Sequence, residues 1–148
     1  MSDTDSKPAG YEPDRYLPKI YDEEKPYWDG LKEHEIRLQV CDRDHRPWYP
    51  IGPVCPRCLS DEYTWTAMSG YGVVSTYVIF HKAWAHWLES RVPYAVVQVE
   101  LAEGPRLTTN LLGLPADQVR IGQPVRAVYE PVSDDIVLLQ FEPVPDSE

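Results

Sequence analysis

The chain has 148 residues, enough for one ordinary domain or two small ones, and its 43% hydrophobic content supports only a modest core. Against 14 Lys and Arg stand 24 Asp and Glu, a formal net charge of -10. That balance argues against phosphate-backbone binding as the main task, although it leaves room for a local basic pocket. The three cysteines all fall between positions 41 and 58, so none remains for a disulfide framework. A polar N-terminus without the apolar stretch of a signal peptide, and no run near the roughly 18 apolar residues of a membrane helix, complete the expectation of a cytoplasmic protein with no membrane partner.

Residues 1–15 are polar, contain Pro8, Gly10 and Pro13, and read as a flexible arm. Residues 16–37 form an N-terminal helical segment. Pro26-Tyr27-Trp28-Asp29-Gly30-Leu31 suits a short helix with proline in its first turn. Tyr21, Tyr27, Trp28 and Leu31 could share one apolar face, which either packs on the chain's own body or docks a partner.

Residues 38–66 carry the most specific signal. Cys55-Pro-Arg-Cys58 is an intact CxxC pair, and Cys41-Asp-Arg-Asp44 repeats its spacing with a carboxylate in place of the second thiolate. Tetrahedral zinc accepts cysteine sulfur, histidine nitrogen or carboxylate oxygen. Cys41, Asp44, Cys55 and Cys58 are therefore the expected metal ligands, with His45 as the rival fourth. Four protein ligands leave no open position, so such a zinc is structural. Two other readings stay open. One is a metal-free ribbon that keeps its shape by packing Trp48, Tyr49 and Trp65. The other is a redox CxxC centre, which the crowd of Pro and Gly upstream and Leu59-Ser60-Asp61-Glu62 downstream disfavour. Ile36, Leu38 and Val40 alternate on the way into the ribbon, and Tyr63, Trp65 and Ala67 on the way out, as strands do.

Residues 67–145 read as all-β. Val73–Phe80, Tyr94–Leu101, Leu107–Leu112, Pro124–Tyr129 and Ile136–Phe141 are five short strands, with Pro115–Val119 as a helical insert. That pattern matches a five-stranded OB-fold barrel, and the whole chain is mainly β. One segment breaks the rhythm. His81-Lys-Ala-Trp84-Ala-His86-Trp87-Leu-Glu-Ser-Arg91 holds two Trp, two His, Lys and Arg between the first two barrel strands. It reads as a helical flap with Trp84 and Trp87 plugging the barrel end, as a ligand or partner contact, or as both. Candidate contact residues are Phe80, His81, Lys82, Trp84, His86, Trp87 and Arg91. Lys82 and Arg91 would offer charge to phosphates.

An aromatic helical segment, a four-ligand ribbon, Ser69-Gly-Tyr-Gly-Val-Val-Ser75, Pro93–Val99, Glu103–Leu107 and Ile121-Gly-Gln-Pro-Val125 follow one another in this order. The ordered set resembles the zinc-ribbon plus OB-fold proteins of the domain-of-unknown-function 35 family, from about Tyr16 to Pro143. The resemblance implies a rubredoxin-like ribbon with structural zinc. It also implies a non-catalytic accessory subunit of an acyl-CoA thiolase or retro-aldolase in the degradation of steroid side chains or aromatic compounds. The implied partner is a thiolase-like catalytic subunit in a heterotetramer, with a CoA ester as the ligand of the complex. Asp44 departs from the family's pattern, which has cysteine there.

The residues themselves assign no catalytic group. Thiolase chemistry needs an activated cysteine with a histidine base, and all three cysteines are spoken for by the ribbon. Neither a GxSxG elbow nor a phosphate loop ahead of a helix is present. His81 and His86 are five apart and make a poor metal pair. Two other functions compete: a free-standing acyl-CoA-binding protein, and a single-strand nucleic-acid binder, which OB barrels and ribbons can both be but which lacks its positive groove here.

Overall fold

The computed structural model describes residues 15–145. A 3₁₀ turn at Asp22–Glu24 leads into α1 (Lys25–Lys32). Pro26 lies in the first turn, where the missing N–H is no loss, and Lys32 lies in the last, where its charge suits the helix dipole. Tyr27 and Leu31, one turn apart, are buried and Trp28 is half-buried against the same core, while Tyr21 stands in solvent. The expected apolar face is thus divided, and its main part packs on the chain's own body.

The ribbon follows as a three-stranded antiparallel sheet in the order β2-β1-β3, built from β1 (Ile36–Cys41), β2 (Pro47–Trp48) and β3 (Tyr63–Met68). Ile36 and Leu38 point into the core shared with α1 and the barrel. Gln39, on the other face, is buried and pairs its amide with the peptide group of Gly52, as donor to the carbonyl at 2.8 Å and acceptor from the N–H at 3.0 Å. A buried amide needs such partners. β1 starts before position 38 and β3 ends after position 66, so both ends of the expected ribbon fall inside strands that continue toward the barrel.

The barrel consists of β4 (Tyr71–Phe80), β5 (Tyr94–Leu101), β6 (Arg106–Asn110), β7 (Pro124–Pro131) and β8 (Val137–Pro143), in the order β6-β5-β4-β7-β8 with every pairing antiparallel. β4 serves two neighbours. Its first residues pair with β7, and the register with β5 shifts between Val74 and Thr76, where Ser75 bonds the Gln98 carbonyl at 3.0 Å. Such a bulge bends a strand and lets a sheet curl. At Gly72 a Cβ would lie 2.5 Å from the Glu100 carbonyl oxygen, so only glycine lets β4 and β5 approach this closely. The free edges of β6 and β8 then meet. The Leu112 N–H donates to the Phe141 carbonyl at 2.8 Å, and the Thr109 hydroxyl donates to that of Leu139 at 2.6 Å. The result is a nearly closed OB-like barrel.

One core runs through α1, β1 and the barrel, from Tyr27, Leu31 and Leu38 to Val97, Val99, Val125 and Phe141. The ribbon has only a small second cluster, Cys41, Trp48 and Cys55, with Tyr63 packed edge-on against Trp48 at 5.6 Å between ring centres.

Three expectations need correction. The flap is not a helix: within 81–91 only His86–Leu88 forms a single 3₁₀ turn, although Trp84, Trp87 and Leu88 stand at helical spacing. Trp84 is no plug, being 69% exposed. Trp48, Tyr49 and Trp65 do not form one packing group. Trp65 packs on the main core and edge-on against Tyr63 at 6.1 Å, Tyr49 lies 37% exposed near Tyr27, and Trp48 sits in the ribbon cluster. The expected arm lies outside the described residues except for Arg15, which is anchored rather than loose. Its guanidinium pairs with Glu130 at 3.1 Å, and its side chain is 7% exposed.

Candidate functional site

The ribbon holds two knuckles of matching design. In the first, the N–H of Cys41 bonds the Arg46 carbonyl at 3.2 Å and the N–H of His45 bonds the Cys41 carbonyl at 2.9 Å. In the second, the N–H of Cys55 bonds the Ser60 carbonyl at 2.9 Å and the N–H of Leu59 bonds the Cys55 carbonyl at 2.8 Å. His45 and Leu59 both adopt positive φ, 59° and 62°. Asp44 therefore stands where Cys58 stands, and His45 where Leu59 stands. His45 is the left-handed turn residue of its knuckle, exposed, and no member of the ligand group. The turn after Cys58 leads into β3 and not into a helix, which removes the context a redox CxxC centre requires.

The ligand atoms of Cys41, Asp44, Cys55 and Cys58 all lie within 4.8 Å of one another. Cys41 Sγ is 3.5 Å from Cys58 Sγ, and Cys55 Sγ is 3.5 Å from Asp44 Oδ2. Around tetrahedral zinc with bonds of about 2.3 Å to sulfur, ligand atoms sit about 3.5–3.8 Å apart, so the group has the right size and chemistry for zinc. At Cys41 and Asp44, two features favour the anionic forms that a metal needs. Backbone N–H groups, that of Asp44 foremost, lower the pKa of the Cys41 thiol. Hydrogen bonds from Arg57 hold the Asp44 carboxyl well below the usual carboxylate range. With all four positions taken by protein, zinc here would join the two knuckles and activate no substrate.

The flap residues form a second feature. Phe80 stacks on Tyr94 at 5.3 Å, and Lys82 Nζ lies 4.2 Å over the exposed Trp84 ring. Trp87 is half-buried, with the guanidinium groups of Arg15 and Arg91 over its ring at 4.7 and 5.3 Å from the ring centre. Trp87 and Arg91 line a cavity of about 460 Å³ with Arg15, Leu88, Asn110, Leu111, Leu114 and Gln140 among its other walls. Phe80, His81, Lys82, Trp84 and His86 do not line it. His86 faces Glu89 at 3.3 Å, and His81 is exposed. The sequence reading missed Arg57, Gln39 and the Arg15–Glu130–Gln140 chain. Only Arg57, set between two ligand cysteines, offered a signal.

Comparison with known proteins agrees with this architecture. The family described as ChsH2, rubredoxin-like zinc ribbon domain, matches residues 28–64, and ChsH2, C-terminal OB-fold domain, matches residues 65–130. A "Probable enoyl-CoA hydratase alpha subunit" of Thermomonospora curvata is 32% identical over 146 residues, 98% of this chain and 44% of the relative. A "3-oxo-4,17-pregnadiene-20-carboxyl-CoA hydratase alpha subunit" of Mycobacterium tuberculosis is 37% identical over 105 residues, 70% of this chain and 32% of the relative. The chain thus spans less than half the length of either curated relative. A solved structure described as "Ltp2-ChsH2(DUF35) aldolase" superposes with a TM-score of 0.77 at 31% identity, covering 86% of this chain and 98% of the matched chain. No helix among the described residues is long and apolar enough to cross a membrane. The chain belongs to the DUF35 family, whose members join a rubredoxin-like zinc ribbon to an OB-fold domain.

Proposed function

We propose that this protein is the accessory, non-catalytic subunit of an enzyme acting on CoA esters, and that its catalytic partner has a thiolase fold. The observation that carries this reading is the match to the DUF35 chain of an aldolase, which extends over 98% of that chain. Names of relatives that act on CoA esters support the same substrate class. Carbon–carbon bond cleavage by retro-aldol reaction or thiolysis, on a steroid side-chain or aromatic acyl-CoA, is the proposed reaction of the complex.

In this reading the partner supplies nucleophile and base, and this chain supplies shape. The ribbon, with zinc held by Cys41, Asp44, Cys55 and Cys58, sets β1 and β3 in place against the barrel. The exposed Trp84 with Lys82, and the half-buried Trp87 with Arg91, form the face that meets the partner or the CoA ester. Tryptophan and arginine are enriched among the residues that anchor interfaces.

The test is turnover of an acyl-CoA by a thiolase-fold chain from the same organism, with and without this protein. The expected result is cleavage that requires both chains and falls when Trp84 and Trp87 are both changed to alanine. Full activity of the catalytic chain alone would overturn the reading. Tight binding of CoA esters by this chain in isolation would favour a free-standing carrier instead.

A further inference from the structure

Arg57 lies between the two ligand cysteines of the second knuckle, but its guanidinium serves the first. Nε donates to Asp44 Oδ2 at 2.8 Å, and Nη2 donates to Asp44 Oδ1 at 3.1 Å. Nη2 also donates to the Arg46 carbonyl at 2.9 Å, and Nη1 reaches that of Pro47 at 3.5 Å. Every one of these contacts crosses from one knuckle to the other. Asp44 Oδ1 accepts a further bond from the Arg46 N–H at 3.0 Å and so has two donors. Oδ2, the oxygen 3.5 Å from Cys55 Sγ, has one short donor, with the Arg46 guanidinium at 3.7 Å. Arg57 thus holds both carboxylate oxygens, and Oδ2, the one beside Cys55 Sγ, keeps a lone pair when Cys55 is a thiolate.

A carboxylate differs from the thiolate it replaces. It is longer, its plane can turn, and either oxygen can bind. Three thiolates and a carboxylate around a dication also leave a net charge of about -2, which an adjacent cation relieves. A two-point guanidinium fork settles both problems at once, because it fixes the plane of the carboxylate and adds positive charge. We infer that Arg57 is the positioning residue that makes Asp44 the fourth ligand of a mixed three-sulfur, one-oxygen zinc centre. The inference rests on the zinc reading of the ribbon. Groups that orient metal ligands in this way typically carry a factor of about 10–100 in metal affinity.

The experiment is a double-mutant cycle on the full chain with Asp44→Cys and Arg57→Ala, read by competition for zinc against a chelator of known affinity. Cobalt(II) absorption is the second readout. The wild type is expected to show a three-thiolate cobalt spectrum that Asp44→Cys converts to a four-thiolate one. Arg57→Ala should lower zinc affinity by about 10–100-fold in the Asp44 background and leave it unchanged in the Asp44→Cys background. Arg57→Lys, which keeps the charge and loses the fork, should not restore affinity. If Arg57→Ala fails to fold, recovery of fold and metal by the Asp44→Cys/Arg57→Ala protein supports the same conclusion. An equal loss in both backgrounds, or none in either, overturns the role of Arg57. Absence of metal uptake by the wild type would overturn the zinc reading and this inference with it, whereas uptake indifferent to Arg57 would overturn the inference alone.

Discussion

Gln39 and Gly52 face each other as a side-chain amide and a peptide group, joined by two hydrogen bonds of 2.8 and 3.0 Å. The pair ties the loop ahead of the second knuckle to the central strand of the ribbon. Replacing Gln39 by Leu would leave both half-buried Gly52 groups without a protein partner. The expected cost is about 1–3 kcal/mol in denaturant unfolding, and amide exchange should quicken first in residues 49–55. Unchanged stability would show that water replaces the amide freely.

The left-handed turn residues of the knuckles supply a gain-of-stability prediction. Leu59 at φ 62° is 73% exposed, so its side chain is held in an unfavourable backbone state with little packing in return. Leu59→Gly should raise stability by about 1 kcal/mol, visible as a higher Tm. At the equivalent position, His45→Ala should leave zinc affinity unchanged, because Asp44 occupies the ligand place of its knuckle. Loss of zinc on His45→Ala would reverse that assignment.

Metal removal should act locally. The ribbon's own cluster is only Cys41, Trp48 and Cys55, with Tyr63 beside it, too little apolar area to hold the loops without a further tie. A strong chelator should speed hydrogen exchange across residues 41–60 and leave the centre of β5 and the start of β7 protected, since Val97, Val99 and Val125 belong to the separate main core. Simultaneous exposure of barrel and ribbon would mean that the two unfold as one unit.

Acid sensitivity should pass through Glu130. Burial would raise the pKa of its carboxyl, but hydrogen bonds from Arg15 and Gln140 outweigh that and lower it. A carboxylate with a depressed folded pKa gives stability that is complete above its unfolded value of about 4.3 and is lost as pH falls through the folded value. Between pH 5 and pH 3, on the order of the window set by that reference value, the wild type should lose more stability than Glu130→Gln. Parallel losses in the two proteins would remove Glu130 from the acid response.

Much of this fold is written locally in the chain. Ile36, Leu38 and Val40 alternate as a strand does, Tyr94–Leu101 is a nearly continuous apolar run that forms β5, and Pro26 marks the start of α1 where the structure has it. The knuckles are legible because their ligands lie three residues apart. The Arg15–Glu130 pair, by contrast, joins residues 115 apart in sequence, and no local pattern announces it. The bulge at Ser75 depends on how β4 shares its edges between β5 and β7, a property of the closed sheet. In the flap, Trp84, Trp87 and Leu88 stand at helical spacing, yet the segment is not a helix, and its composition shows that it is aromatic and cationic but not that Trp84 turns outward while Trp87 is half-buried.

The most direct measurement is co-purification of the tagged protein from its own organism, with mass spectrometry of what accompanies it and an acyl-CoA cleavage assay on the product. The account predicts a thiolase-fold protein in near-equal amount and activity in the recovered complex. Recovery of this chain alone, or with nucleic acid in place of a thiolase-fold partner, would contradict it.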